Sequence, residues 1–189
     1  EGSGLIRTVI ATPGNVNAIY LQAVMEAQAR NYKAADADLE RISGYVGRIQ
    51  RAYYLQAVVK EQLGQLEQAE QAASKYLARA PNDLAAYKIL ARIQFAKRRP
   101  DQVINTLAKV AESGKGDAEA YDLLGRAYAA TGRATEAVTA FQKAETLAPN
   151  NVGVQTRLAS VRMSMGDADT AMGDLEHTLQ LAPKMPAVG

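Results

Sequence analysis

The chain has 189 residues, of which 48% are apolar and 22% are charged, and 22 basic side chains nearly balance 20 acidic ones to give a net charge of +2. The apolar share is too high for a disordered chain, and this net charge is not that of a domain whose surface binds nucleic acid. Because cysteine is absent, disulfides, thiol catalysis and thiolate metal sites are excluded, and since no apolar run approaches about 18 residues, no segment is predicted to span a membrane.

The spacing of the prolines reveals an internal period of 34 residues. Pro13, Pro81 and Pro149 are each 68 residues apart, and Pro183 follows 34 residues later. The run YLQAV at residues 20–24 recurs at residues 54–58, one period further along. A repeat of this length is typical of solenoids, in which each unit stacks on its neighbours. The abundance of alanine favours helix within each unit.

The period divides the chain into five complete repeats. Residues 1–15 are expected to be the end of a preceding repeat, with its second helix over residues 5–12, and residues 186–189 are expected to be a tail. Between them lie repeats at 16–49, 50–83, 84–117, 118–151 and 152–185. This arithmetic favours an array that continues beyond the chain, so we expect the chain to be part of a longer protein.

Each repeat is predicted to form two helices, as the fourth one illustrates. Asp117 is a candidate N-cap, and the apolar residues that follow are spaced as on one face of a helix. Gly132 is the predicted stop of that helix, a second helix is predicted at about residues 134–147, and Pro149 ends the repeat. Gly64 and Gly166 share the phase of Gly132, while arginine takes the same position in the first and third repeats.

Small residues recur where the two helices of a repeat would meet. They stand on first helices at Ala23, Ala57, Ala91, Gly125 and Ala159, and on second helices at Ala35, Ala69, Ala137 and Ala171. A large side chain at these positions would push the helices apart. The pattern therefore predicts close packing within every hairpin.

The fourth repeat resembles the tetratricopeptide repeat (TPR). The residues that carry the resemblance stand at the family's spacing and are Tyr121, Leu124, Gly125, Tyr128, Gly132, Ala137, Phe141, Ala144 and Pro149. The resemblance implies an all-α, right-handed superhelix (an α-solenoid) of about five helix-turn-helix repeats. Gln22 and Gln56 replace a preferred leucine, Gly47 replaces a closing proline, and residues 113–117 replace a closing turn. These departures leave the local helix ends open.

Catalytic and cofactor-binding patterns are absent from the sequence. His177 is the only histidine and is expected to be exposed, and the turn at 113–117 lacks the spacing of a phosphate-binding loop. The acidic residues Asp36, Asp38, Glu40, Asp167 and Asp169 are expected to lie at solvated helix ends. We therefore predict no catalytic residue, no metal site and no cofactor, and we interpret the chain as a non-enzyme.

The TPR resemblance implies a concave groove, lined by first helices, that binds an extended peptide or a helix. The candidate groove residues are Tyr20, Gln28, Tyr54, Val58, Gln62, Lys88, Arg92, Phe95, Asp122 and Arg126, and the same register adds Asn17, Val24, Arg51, Glu61, Glu119, Thr156, Ser160 and Met163. Tyrosine suits extended polypeptide, and the cations would hold a carboxylate. The alternative is that Asp122 neutralises Arg126 or Lys88.

A narrower resemblance concerns the biological setting. The runs YYLQA at 53–57, LEQAE at 66–70 and APND at 80–83 are similar to those of bacterial TPR lipoproteins of the PEP-CTERM protein-sorting and exopolysaccharide-export type, and cellulose-export subunits carry a similar array. This resemblance implies a periplasmic or outer-membrane-attached scaffold in an envelope or export assembly.

The predicted partner is a protein or peptide, with no nucleic acid and no direct insertion into a membrane. Two alternatives remain open for the array. The first is end-to-end self-association through terminal repeats that lack a capping helix. The second is a spacer, or a domain that accompanies an enzyme, within a larger protein.

Overall fold

The computed structural model describes residues 15–173. The chain divides into two compact units, Glu1–Lys97 and Arg98–Gly189. The helix end expected at residues 5–12, the tail expected at 186–189 and His177 lie outside the described residues.

The first unit is built from helices that pack in two layers. Its elements are α1 Val16–Gln28, α2 Tyr32–Arg41, a 3-10 helix Ser43–Arg48, α3 Gln50–Gln62, α4 Leu66–Leu77 and α5 Leu84–Ala96. Helix α1 packs on α2, α3 on α4, and α3 also contacts both α1 and α5. The first helices α1, α3 and α5 therefore lie side by side, and α2 and α4 lie behind them.

The second unit repeats this arrangement. Its elements are α6 Pro100–Glu112, α7 Ala118–Ala130, α8 Ala134–Leu147 and α9 Val152–Ser164, and residues 168–173 are also helical. Helix α7 packs on α6, α8 and α9, and α8 packs on α9. No strand occurs between residues 15 and 173, so the prediction of an all-α helical-repeat fold is confirmed.

Side-chain caps start most of the first helices. Asn15, Asp83, Asp117 and Asn151 each accept a hydrogen bond from a backbone N–H in the first turn of α1, α5, α7 and α9. The Asp117 carboxylate accepts from the N–H of Ala120 at 2.9 Å, as its predicted role requires. Such caps satisfy backbone donors that have no partner within the helix.

The turn that ends each first helix contains one residue in the left-handed region. This residue is Arg30 (φ 61°), Gly64 (73°), Arg98 (57°), Gly132 (75°) or Gly166 (83°), and all five share one phase of the 34-residue period. Glycine adopts this conformation without a steric penalty, whereas other residues do not. Two repeats therefore place arginine where the backbone favours glycine.

The predicted small residues lie in the helix contacts. Ala23, Ala35, Ala57 and Ala69 in the first unit are all completely buried. In the second unit Gly125 faces Phe141 so closely that an added Cβ would lie 2.7 Å from the ring. Close approach of the two helices of a hairpin thus depends on these positions being small.

The repeat that lacks a closing proline has a shortened second helix. Helix α2 ends at Arg41, and the 3-10 helix Ser43–Arg48 continues the chain to α3. Ile42 and Val46 from this segment are buried in the same core cluster as Ile19 and Leu39. The absence of a closing proline therefore changes where α2 ends, while the core of the repeat stays packed.

The expectation that the acidic residues of α2 lie in solvent is wrong for two of them. Asp38 is only 6% exposed and receives a hydrogen bond from Arg41 at 2.9 Å. Asp36 is half-buried and pairs with Lys60 of α3 at 2.8 Å. The partner of Asp38 is on the same helix, whereas packing of α2 against α3 brings Lys60 to Asp36, which the spacing within α2 did not reveal.

Candidate peptide-binding surface

The candidate groove residues of the first unit are distributed over three adjacent helices. Tyr20 and Gln28 belong to α1, Tyr54, Val58 and Gln62 belong to α3, and Lys88, Arg92 and Phe95 belong to α5. Because α3 contacts both other helices, the surface that these helices share is continuous within this unit. We call α1, α3 and α5 the first-helix layer.

Tyr20 and Tyr54 occupy the same register position on neighbouring helices of this layer. Both are half-buried. Tyr20 packs against the core cluster between α1 and α3, and Tyr54 packs against the cluster between α3 and α5. Burial raises the pKa of the Tyr20 hydroxyl, although the nearby Arg51 guanidinium acts in the opposite direction.

A second tyrosine, Tyr76, which was not among the predicted groove residues, packs against Tyr54. The rings of Tyr54 and Tyr76 are 5.5 Å apart and tilted by 56°. The Tyr76 hydroxyl donates a hydrogen bond of 2.7 Å to the carboxylate of Asp83, and this bond, with burial, raises the pKa of Tyr76. Because Asp83 caps α5, the aromatic pair is tied to the start of the next first helix.

Arg92 is not an unoccupied cation. Its Nε and Nη2 donate to the two carboxylate oxygens of Glu61 at 3.1 and 3.0 Å, and this bidentate pair links α5 to α3. Such forked pairs have a well-defined geometry. A ligand carboxylate would have to displace Glu61 before it could bind the same Nε–Nη2 edge of Arg92. Lys88, which is half-buried, also interacts with a neighbouring group.

The second unit contains an equivalent ion pair between first helices. Asp122 of α7 pairs with Arg157 of α9 at 2.8 Å. Arg126 of α7 is half-buried and also has a neighbouring partner. Arg157, which was not among the predicted candidates, thus pairs with Asp122, and the predicted pairing of Asp122 with Arg126 or Lys88 stays a prediction.

The remaining candidates differ in accessibility. Gln28 and Gln62 are exposed, and each is the last residue of its helix. Val58 is half-buried and packs beside Tyr54 on the second core cluster. Phe95 is half-buried on the last turn of α5. The two glutamines are therefore peripheral, whereas Val58 adds apolar surface close to the tyrosines.

Two lysines that were not among the predicted site residues, Lys60 and Lys97, join successive repeats. Lys60, only 8% exposed, donates to Asp36 at 3.0 Å and to Glu40 at 3.2 Å. Burial lowers the pKa of Lys60, but these hydrogen bonds outweigh it and raise the pKa above its ordinary value. Lys97 pairs in the same way with Glu67 and Glu70. These networks lie between a first helix and the second helix before it.

The second unit also has a cleft away from the candidate groove residues. It has a volume of about 250 Å³ and lies between α6, α7 and α8. Tyr121 and Leu124 form its buried floor, and Lys143 lies over the Tyr121 ring at 5.4 Å. The walls are mostly alanine and threonine, and nothing in them forms a catalytic pair.

Other functional classes receive no support between residues 15 and 173. Across this part of the chain, no three histidine, cysteine or acidic side chains are grouped so as to hold a metal ion. Among the same residues, no helix has the length and apolar character needed to cross a membrane.

Family models match the central part of the chain. Residues 61–127 and residues 118–151 each match a model described as tetratricopeptide repeat. Over residues 61–151 the chain is therefore similar to tetratricopeptide repeats. No curated protein matches it by sequence.

Solved structures share the fold over nearly the whole chain. MamA 41-end from Desulfovibrio magneticus RS-1 is similar with a TM-score of 0.83 and 19% identity, covering 94% of this chain and 100% of that one. MamA of AMB-1 gives 0.77 and 21%, covering 91% and 94%. A thermophilic TPR protein of Thermus thermophilus gives 0.66 and 23%, covering 89% and 92%. At these identities the likeness shows the fold alone, a helical-repeat solenoid.

Proposed function

We propose that the chain is a non-catalytic scaffold that binds an extended polypeptide on its first-helix layer. The observation that carries this proposal is the pair of half-buried tyrosines, Tyr20 and Tyr54, at the same register position on adjacent helices. One period separates them, so successive parts of an extended chain would meet equivalent rings. Tyrosine offers a flat apolar body and a polar tip at small entropic cost, which suits this kind of contact.

A capture experiment with matched variants tests this proposal. The wild-type chain, the double variant Tyr20→Ala/Tyr54→Ala and the control variant Tyr45→Ala are used as baits in an extract of the source organism. Tyr45 is 47% exposed and lies in the 3-10 helix, outside the first-helix layer. We expect a protein that is retained by the wild type and by the control and lost by the double variant. Equal recovery on all three baits, with equal far-UV circular dichroism, would refute binding at the tyrosines.

The pathway of this scaffold is a separate proposal. The narrower resemblance to lipoproteins of the PEP-CTERM sorting and exopolysaccharide-export type supports a role in an envelope or export assembly of a bacterium, in the periplasm or attached to the outer membrane. Neither the family models nor the similar structures carry this point, so it stays a prediction. Fractionation of the source organism, followed by detection of the parent protein in the soluble fraction of the cytoplasm alone, would contradict it.

Self-association is the second candidate function, and exposed apolar side chains favour it. Leu21 and Met25 on α1 are 50% and 48% exposed. One and two periods later, Val59, Ile89 and Ile93 stand in the same register and are at most 1% exposed, because a preceding repeat covers them. At the other end, Met163, Met165 and Met172 are at least 50% exposed. An end-to-end contact between two copies would bury the exposed side chains of α1 in one copy against the exposed methionines of the other copy.

Light scattering over a concentration series distinguishes this second candidate. Association predicts a mass that rises with concentration, and Leu21→Glu/Met25→Glu is expected to abolish the rise. A mass that stays monomeric at every concentration would exclude end-to-end association. The non-enzyme prediction is tested separately, since turnover of an ester, phosphate or glycoside by the purified chain would overturn it.

A further inference from the structure

Arg51 is an exposed cation at the start of α3. No carboxylate of residues 15–173 forms an ion pair with it, whereas Lys60, Arg92 and Lys97 of the same unit are all paired. Arg51 therefore differs from the cations that hold the repeats together. Its charge has not been neutralised by a close carboxylate from the described chain.

Arg51 lies among the tyrosines of the first-helix layer. It precedes Tyr54 by three residues on α3, so the two side chains share one face of that helix. Its guanidinium also acts electrostatically on the hydroxyls of Tyr20 and Tyr76. The cation thus lies one turn before Tyr54 on α3 and acts electrostatically on one tyrosine of α1 and one of α4.

Of the two tyrosine hydroxyls on which Arg51 acts, one has a hydrogen-bond partner and the other has none among residues 15–173. The Tyr76 hydroxyl is occupied because it donates to Asp83. Asp83 in turn accepts from the backbone N–H groups of Ala85 and Ala86 as well, so its carboxylate is well supplied with donors. The Tyr20 hydroxyl makes no hydrogen bond with residues 15–173, and like any tyrosine it is protonated and able to donate at neutral pH.

We propose that Arg51 and the Tyr20 hydroxyl bind the carboxylate of an aspartate or glutamate side chain within an extended polypeptide, whose flanking apolar residues contact Tyr20 and Tyr54. This inference rests on the proposed function and names the chemistry of the partner. A charge-assisted pair with guanidinium is the strongest polar contact that this surface offers. Arg92 does not take this role because Glu61 occupies it.

The position of the rings selects an internal acidic residue over a chain end. Tyr20 on α1 and Tyr54 on α3 stand one period apart on adjacent helices, so a segment that crosses both helices can place apolar residues before and after its acidic residue. A terminal carboxylate would leave one of these rings unused.

Selection from a displayed library of random dodecapeptides tests the proposal. The probes are peptides selected on the 189-residue chain and then resynthesised. We expect them to contain an aspartate or glutamate next to aromatic or aliphatic residues. Arg51→Gln is expected to weaken their binding about tenfold or more, since hydrogen bonds to charged groups contribute this much. Arg48→Gln is the matched control, because Arg48 is exposed and lies over Tyr45 in the 3-10 helix.

Further arms separate the possible explanations. Replacing the acidic residue of the peptide by its amide is expected to cost as much as Arg51→Gln, and the two changes together no more than either alone. Arg51→Glu is expected to select peptides with lysine or arginine in place of the acid. Amidation of the peptide C-terminus is expected to change nothing, and a tenfold loss on amidation would overturn the internal site.

The outcomes also distinguish this inference from the function on which it rests. Peptides that need Tyr54 but bind equally to wild type and Arg51→Gln would overturn the acidic specificity alone. Peptides that bind independently of Tyr20, Arg51 and Tyr54 would overturn both proposals.

Discussion

Replacing Arg30 by glycine is expected to stabilise the first repeat, because Arg30 has a φ of 61° in the turn between α1 and α2. The side chain is exposed, and no ion pair or hydrogen bond holds it among residues 15–173. Its removal therefore costs little in the folded state. The same turn uses Gly64 in the second repeat and Gly132 in the fourth.

The size of the effect follows from two opposing terms. A non-glycine residue in the left-handed region costs about 1–2 kcal/mol, and glycine adds about 0.5–1 kcal/mol of conformational entropy to the unfolded chain. At the midpoints of the two ranges the difference is a gain of about 0.75 kcal/mol in the free energy of unfolding, within limits of about 0–1.5 kcal/mol. With a urea m-value of about 2 kcal/mol/M, this gain shifts the unfolding midpoint up by about 0.4 M. Arg98→Gly is expected to give a similar shift, since the φ of Arg98 is 57°.

Urea unfolding followed by far-UV circular dichroism measures this shift. Arg30→Ala is the control for the side chain, because it removes the charge and keeps the left-handed penalty, and its midpoint is expected to stay close to that of the wild type. Gly132→Ala is the reverse test. No atom lies within 4 Å of a Cβ added at Gly132, so any loss there is due to the backbone alone. If Arg30→Gly were neutral while Gly132→Ala destabilised, the reasoning about Arg30 would be refuted.

Two further predictions concern packing and the lysine network. Gly125→Ala is expected to destabilise the fourth repeat by about 1–3 kcal/mol, because the new Cβ would lie 2.7 Å from the buried ring of Phe141. Ala137→Leu is expected to have a similar effect, because its larger side chain would overpack the same contact between helices. Thermal unfolding measures both changes. Lys60→Met is expected to cost about 1–3 kcal/mol at neutral pH, because Asp36 would remain half-buried without its cation; urea unfolding at several pH values measures it. Because the folded-state pKa of Lys60 is raised, the stabilisation is complete below the ordinary lysine pKa and is lost as the pH rises through the raised one.

Each of these predictions has a result that contradicts it. An unchanged midpoint for Gly125→Ala would mean that α7 and α8 can move apart freely, and Phe141→Leu in the same background is expected to restore part of the loss. For Lys60→Met, the difference from the wild type should persist from neutral pH to about pH 10 and shrink only above it. A difference that disappears well below pH 10 would show that the ammonium group is not what stabilises the pair.

Local chemistry and periodicity made much of the fold predictable. Asp117 was recognised as a cap because a carboxylate before an apolar stripe satisfies free backbone amides, and it does so in the structure. Gly132 was recognised as a stop because glycine tolerates the left-handed region, and its φ is 75°. These features depend on a few neighbouring residues, so the sequence alone contains the information.

The charged contacts were not predictable in the same way. The arginine that pairs with Asp122 is 35 residues away, the acid that pairs with Arg92 is 31 residues away, and the acid that pairs with Lys60 is 24 residues away. Small rotations between adjacent helices decide which of several nearby charges comes within 4 Å. The sequence located candidate cations on the first helices, and only packing distinguished the paired Arg92 from Arg51.

The sequence by itself determined the 34-residue repeat, the two helices of each hairpin and the need for small residues between them, because these follow from spacing and from local backbone preferences. The tertiary structure decided which charges are neutralised, which apolar residues of α1 and α9 stay exposed, and on which tyrosines Arg51 acts. These properties depend on the rotation and distance between helices from different repeats, and those quantities result from the packing of many side chains at once.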